Sequence, residues 1–400
     1  MKLKPLVMCS VIASLTAAPG VQAFDVVEAG KPVVTGEPSR VGPPWNHRST
    51  LNIPGTGTDI AFGGYVKLDA LYDADYDLGD ATSPYNVNNP ANALDGKMRF
   101  TALESRLNFR TQTKTDVGTV KSYVEVHFLP DGKFNLRHAY GELNGFLAGQ
   151  TWSNFQSFVG ATRTLALGDP QGYVFQRHPQ VRYTSKNGPN MFAVALENPQ
   201  MVVDRTNAGD AAAQNQVPDL TLRYQRARNF SVSGIVRQLG TDKTRGAVDD
   251  SVVGYGAMAM ASLPLGSATT LKGTATYGSG IGNYMGNPAN SIFRSTPDVY
   301  VDNSGNLETV DITGLGVSLN HNWNASWFSS VGYSTLEQDL PGTGAYNTEV
   351  DTLEYAFANV IWDITARAFV GLEYQYVNID QVGGTSNDAS RLQASASFQF

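Results

Sequence analysis

The final ten residues of this 400-residue chain, Arg391-Leu-Gln-Ala-Ser-Ala-Ser-Phe-Gln-Phe400, alternate without a break. Leu392, Ala394, Ala396, Phe398 and Phe400 share one parity, and Arg391, Gln393, Ser395, Ser397 and Gln399 share the other. A period of two belongs to a strand with one oily and one wet face, not to a helix of period 3.6. Ten residues is also about what a tilted strand needs to cross a bilayer. Taken alone, the segment fits the edge strand of a soluble β-sandwich equally well.

The amino-terminus narrows the choice. Lys2 and Lys4 precede a short apolar run from Leu6 to Leu15, and Val21-Gln-Ala23 forms an A-x-A-like cleavage site. This pattern predicts a signal peptide over 1–23, too short in its apolar run to span a membrane as a helix. Cys9 lies inside that run and not at the cleavage point, so it is no lipoprotein cysteine. It is the only cysteine, so the exported chain carries no disulfide and no thiol chemistry. Without Lys2 and Lys4, the 29 Lys+Arg fall to 27 against 36 Asp+Glu, a formal charge of −9. That balance argues against nucleic acid as a partner.

Residues 24–58 contain Pro32, Pro38, Pro43, Pro44 and Pro54 and keep neither period, which predicts an irregular periplasmic arm. From Asp59 the alternation begins. Phe62, Val66, Leu68 and Tyr72 oppose Tyr65, Lys67, Asp69 and Asp73, and the same rhythm recurs in sixteen segments to Phe400. Short turns are expected near 113–118, 144–145, 187–189, 264–268, 322–325 and 361–364. Long polar connections are expected near 74–97, 153–178, 198–216, 239–250, 279–307, 337–348 and 379–388. Turns that alternate in length belong to an all-β, antiparallel transmembrane β-barrel of about 16 strands with short periplasmic turns and long extracellular loops. Trp152, Tyr72, Tyr277, Trp323, Trp327, Tyr333, Trp362, Tyr374 and Tyr376 are expected in its aromatic girdles. The expected barrel occupies 59–400.

The stretch from Met98 to Gln156, MRFTALESRLNFRTQT through GTVKSYVEVHF to NLRHAYGELNGFLAGQTWSNFQ, carries a resemblance, with GGYVKLDALYD at 63–73. It resembles the DcaP-like porins, outer-membrane channels of Gram-negative bacteria. The resemblance implies a homotrimer, a third extracellular loop folded into the lumen at 153–178, and small organic anions such as dicarboxylates as solutes. It also implies outer-membrane lipids and lipopolysaccharide as surroundings, and the barrel-assembly machinery as a partner that reads the terminal Phe400. The Pro-rich arm departs from relatives that begin with a coiled coil.

The polar parity then predicts a lumen lined by Lys67, Arg106, Arg110, Lys121, Arg137, Arg182, Arg223, Arg237, Arg367 and Arg391. Inward acids are fewer: Asp69, Glu104, Glu125, Asp219 and Glu373. Arginine keeps its charge and matches carboxylates with a planar fork, so such a set favours anions; the bland alternative is that these cations pair with the acids and hold the wall. In the constriction loop, which also contains Asp169, the groups Arg163 and Arg177 are expected to face inward acids or the passing solute. A passive channel needs neither catalytic residue nor cofactor nor metal. Asp73-x-Asp75-x-Asp77 starts like a calcium loop, but its glycine is one place late and Pro84 stands where the closing acid belongs. The five histidines show no metal spacing, and Ser318 with His321 lacks a third partner for hydrolysis. A non-channel outer-membrane barrel, an adhesin or structural surface protein, is the alternative function.

Overall fold

The computed structural model describes residues 50–167, 172–204, 213–242, 248–285, 296–342 and 344–400. After the short β1 (Leu51–Ile53), the wall runs through β2 (Thr58–Asp73), β3 (Lys97–Thr101), β4 (Arg106–Thr115), β5 (Gly118–His127), β6 (Asn135–Leu143) and β7 (Phe146–Trp152). It continues with β8 (Arg177–Asn187), β9 (Asn190–Glu197), β10 (Asp219–Arg226), β11 (Phe230–Gly240), β12 (Ser251–Pro264) and β13 (Thr269–Ser279). A loop hairpin follows, β14 (Val299–Val301) with β15 (Leu307–Thr309). The wall is completed by β16 (Asp311–Asn322), β17 (Trp327–Asp339), β18 (Val350–Thr365), β19 (Ala368–Gln381) and β20 (Ser386–Gln399).

Every wall strand pairs antiparallel with its neighbours, and β20 returns to β2 from Tyr65↔Gln399 to Asp73↔Arg391. The sheet is therefore closed, as a bilayer requires of strands that cannot leave backbone groups unpaired. Two elements share positions with others. β3 pairs the outer half of β2 and β4 its inner half, so the two are one interrupted strand. β1 pairs Ile53↔Thr58 through Leu51↔Ile60, continuing the seam below the end of β20. Sixteen positions result, the expected number. Residues 51–53, part of the expected irregular arm, are thus a strand; residues 1–49, with the expected signal peptide, lie outside the described residues.

The alternation sorts the faces as expected. Phe62, Val66, Leu68, Tyr72, Leu392 and Phe398 are exposed on the outer wall, whereas Lys67, Asp69, Asp73, Arg391 and Gln393 are buried inside. Trp327 and Trp362 stack 5.7 Å apart at the periplasmic rim, and Tyr72, Tyr255, Tyr277 and Tyr374 are exposed on the outer wall. The expected long connection at 379–388 is shorter. Asn378↔Asp388 and Ile379↔Asn387 extend the ladder, because strands that outrun the bilayer tolerate polar side chains on both faces.

Candidate channel lumen

The third extracellular loop leaves β7 at Ser153 and crosses the lumen, held by inward side chains of successive strands. Glu197 of β9 accepts from the Asn154 backbone N–H at 2.7 Å. Ser233 of β11 donates to the Phe155 carbonyl at 2.5 Å, and Arg223 of β10 donates to that of Gln156. Further along, Lys272 of β13 donates to the Ala161 carbonyl and Thr162 bonds Asn320 of β16. Ser330 and Asn359 donate to the Arg163 carbonyl at 2.9 Å. Gly160 is needed here, since a Cβ would strike the Gly273 carbonyl.

At the tip, the Glu373 carboxylate accepts from the backbone N–H of Leu165 at 2.7 Å and of Ala166 at 3.1 Å. The Leu165 carbonyl accepts from Lys67 at 2.6 Å and from Gln393 at 3.0 Å. Arg163 forms a two-pronged pair with Asp363 at 2.9 and 2.5 Å and lies over the rings of Phe328 and Phe369. Asp169 falls at 168–171, outside the described residues.

This loop does not float in water. Its Phe155, Val159, Tyr173 and Val174 join Ile281, Tyr284 and Met285 of a later loop in a buried apolar cluster. The barrel supplies Ile235, Met258, Met260, Ile312, Leu336, Leu353, Phe357, Val377 and Ile379, all on the inward parity. The expectation of a polar inner wall holds only in part over β11–β19. There apolar inward side chains packed against loops stand beside polar ones, Ser233, Lys272, Asn320, Ser330, Asn359 and Glu373, that hold the third loop.

The charged wall lies opposite in sequence, on β4–β10. Arg106 reaches Glu104 and Glu125, each at 3.8 Å, and lies 5.3 Å over Tyr65. Arg137 bonds Glu125 at 2.9 Å. A bulge between Glu125 and Val126 leaves Arg137 unmatched in the ladder, so Arg137 and His138 are both buried inside. The Arg137 and Arg177 guanidinium groups lie 5.8 and 4.6 Å from the Trp152 ring, which also meets Phe158 and Phe175. Trp152 is therefore a lumen residue and not a girdle aromatic. The β6–β7 ladder ends at Ala139↔Gln150, which frees the end of β7 to turn inward. Arg110 is buried on the same wall, Arg182 and Arg223 are half-buried, and Lys121 is exposed at the periplasmic end of β5.

The remaining expected cations are tied down singly. Lys67 pairs with Asp69 and Glu104, and Arg391 grips Asp73 at 2.6 and 2.8 Å. Arg237 spans Asp219 at 2.9 Å and Asp298 at 2.6 Å, over the Tyr284 ring. Burial pushes the Asp298 carboxyl up while Arg237 pulls it down. Arg367 does not line the wall; it is exposed in the turn between β18 and β19. Lys272, Glu142, Glu197 and Asp363 were missed by parity reading. All four stand on the inward parity of their strands and could have been found, Asp363 being the last ladder residue before the register shift that ends β18.

Rival chemistry meets obstacles in the geometry. Asp73 is gripped by Arg391 and Arg99, and Asp77 by Lys97 and Arg99, so cations already occupy carboxylates of the calcium-like pattern. Against burial, the hydrogen bonds from Lys97 and Arg99 hold the Asp77 carboxyl well below the usual carboxylate range. Among the described residues, no group of three or more His, Cys, Asp or Glu could hold a metal. Ser318 faces the lumen, while His321 stands on the opposite parity, bonded to Thr269 at 2.8 Å.

The comparisons agree with this architecture. The barrel superposes on the outer-membrane channel DcaP of Acinetobacter baumannii with a TM-score of 0.74 at 23% identity, covering 86% of this chain and 98% of that one. The trimer form of OmpT, an outer-membrane protein of Vibrio cholerae, gives 0.54 at 12% identity over 86% of this chain and 100% of that one. An anion-selective porin from Comamonas acidovorans gives 0.55 at 12% identity, with coverage of 86% and 100%. No curated protein matches the chain in sequence. The model of the porin subfamily matches residues 51–398. The chain belongs to the porin subfamily: it is an outer-membrane β-barrel channel with a DcaP-like fold.

Proposed function

We propose that this channel passes small organic anions by passive diffusion, with dicarboxylates as the favoured class. The observation that carries the reading is the division of the lumen. Loops packed on β11–β19 fill one side with apolar side chains, so a wet path is left to the β4–β10 side. That side bears Arg106, Arg110, Lys121, Arg137, Arg177, Arg182 and Arg223 against Glu104, Glu125, Glu142 and Glu197. Excess cation in a narrow, low-dielectric passage favours anions. Forked guanidinium groups suit carboxylates.

The protein would work as a homotrimer, in keeping with the trimer form of the Vibrio cholerae relative. Residues 1–23 would be removed on export, and Phe400 would be read by the assembly machinery. Residues 153–178 would act as the constriction. Planar-bilayer recording in a salt gradient tests the reading. The expected reversal potential has the sign of anion preference, and added dicarboxylates block the current. Cation preference would refute the anion claim, and an absence of conductance steps would favour a plugged surface barrel.

A further inference from the structure

The outer wall of β8–β11 carries an apolar groove of ≈ 590 Å³ that transport does not explain. Its volume lies within the about 300–1,000 Å³ typical of ligand sites. The ladder arranges its outward residues in rows. Tyr183, Val194, Leu222 and Gly234 form one, and Ser185, Phe192, Tyr224 and Val232 form the next. Leu222, Phe192, Val194 and Val232 are exposed, and Gly234 leaves the floor open. The Phe192 and Tyr224 rings lie 4.8 Å apart, and the Tyr224 hydroxyl donates to Asn190 at 2.8 Å. One row nearer the periplasm stands Arg226, on the same outward parity, paired with Asn190 and Phe230. Arg228 follows in the exposed turn.

No Asp or Glu occurs between Tyr183 and Leu196, nor between Leu220 and Gly240. The groove therefore has an uncompensated cationic rim at its periplasmic end and an apolar body extending about 13 Å toward Gly234. We infer that this groove binds an anionic glycerophospholipid of the periplasmic leaflet. The phosphate lies at Arg226 and Arg228, and one acyl chain runs over Phe192 and Val232 into the space at Gly234. Lipopolysaccharide is the wrong occupant, because the cations stand at the short turns and not at the long loops. The inference uses the orientation of the barrel but not its solute preference.

Native mass spectrometry of the purified full-length protein, titrated with phosphatidylglycerol or phosphatidylcholine, tests it. The wild type should retain phosphatidylglycerol preferentially. Each basic residue near an anionic lipid surface accounts for about fivefold in affinity, so Arg226→Gln with Arg228→Gln should weaken phosphatidylglycerol about 30-fold and leave phosphatidylcholine unchanged. Lys114→Gln, in another exposed periplasmic segment, should change neither. A Cβ at Gly234 meets only the Gly256 carbonyl at 3.6 Å, so Gly234→Leu is accommodated and fills the groove. It should weaken both lipids. Equal retention of the two lipids by the wild type would overturn the inference. So would a Gly234→Leu protein that loses oligomers while keeping lipid, since the groove would then belong to a second copy of the chain.

Discussion

Replacing Glu373 with Ala should release the tip of the third loop. The carboxylate holds two loop N–H groups, at 2.7 and 3.1 Å, and is itself oriented by Asn359 at 2.9 Å and Gln375 at 3.2 Å. Hydrogen bonds to a charged group contribute about 1.5–3 kcal/mol each, so the two loop bonds together hold the tip by about 3–6 kcal/mol. At about 1.4 kcal/mol per tenfold, their loss lowers the population of the seated tip by a factor of about 100 or more. The bonds from Lys67 and Gln393 to the Leu165 carbonyl remain and set the lower end of that range. Lys67 keeps Asp69 and Glu104 as partners, so no buried charge is orphaned on the barrel. Single-channel recording should then show larger conductance and a noisier open level. Glu373→Gln, which keeps an acceptor, should fall between. A heat-modifiable gel shift like that of the wild type establishes that the barrel is intact. Wild-type conductance and noise in an intact Glu373→Ala barrel would refute the argument.

Neutralising Arg182 and Arg223 tests the charged wall. An ion passing about 5 Å from a guanidinium in water feels about 0.8 kcal/mol, reduced by screening at 0.1 M salt, so the anion-to-cation ratio should drop about fivefold per charge in reversal-potential measurements. An unchanged ratio would count against the wall. Arg391→Met leaves Asp73 buried without its closest partner and should cost about 3–5 kcal/mol, visible as a lower temperature of barrel unfolding, with Asp73→Leu added restoring part of the loss. Because the Asp77 carboxyl is held below its ordinary range, its contribution is present above the ordinary carboxylate value and lost only as pH falls through the lower one. Limited proteolysis of the 74–96 loop should therefore be as slow at pH 5 as at pH 7, whereas Asp77→Asn should be cut faster at both. Deleting Phe400 should lower the amount of protein in the outer membrane; undiminished levels would remove its role in assembly.

The barrel was legible because its outer face obeys one rule along the whole chain. Phe62, Val66 and Leu68 face outward for the same reason as Leu392 and Phe398, and a period of two needs no tertiary knowledge. The lumen obeys no single rule. Met258, Met260, Ile312 and Leu336 face inward although they are as apolar as their outward neighbours, since other loops cover them. Local sequence carries no mark of a partner supplied from a hundred residues away. Arg137 and His138 were separable only by the bulge, which depends on the facing strand. Arg367 fits the polar parity yet lies in a turn, where parity has no meaning.

The Leu165 carbonyl has a temporal consequence. Its two donors belong to Lys67 on the first long strand and Gln393 on the last, which meet only when the ends of the wall are joined. A nascent wall offers this oxygen at most one of them. The seat of the loop tip is thus complete only once the wall has closed, and the bolt across the seam is drawn by the same event that makes the interior continuous. A half-built intermediate would be leaky by construction, and the loop's tight seat is itself a signature of a finished molecule.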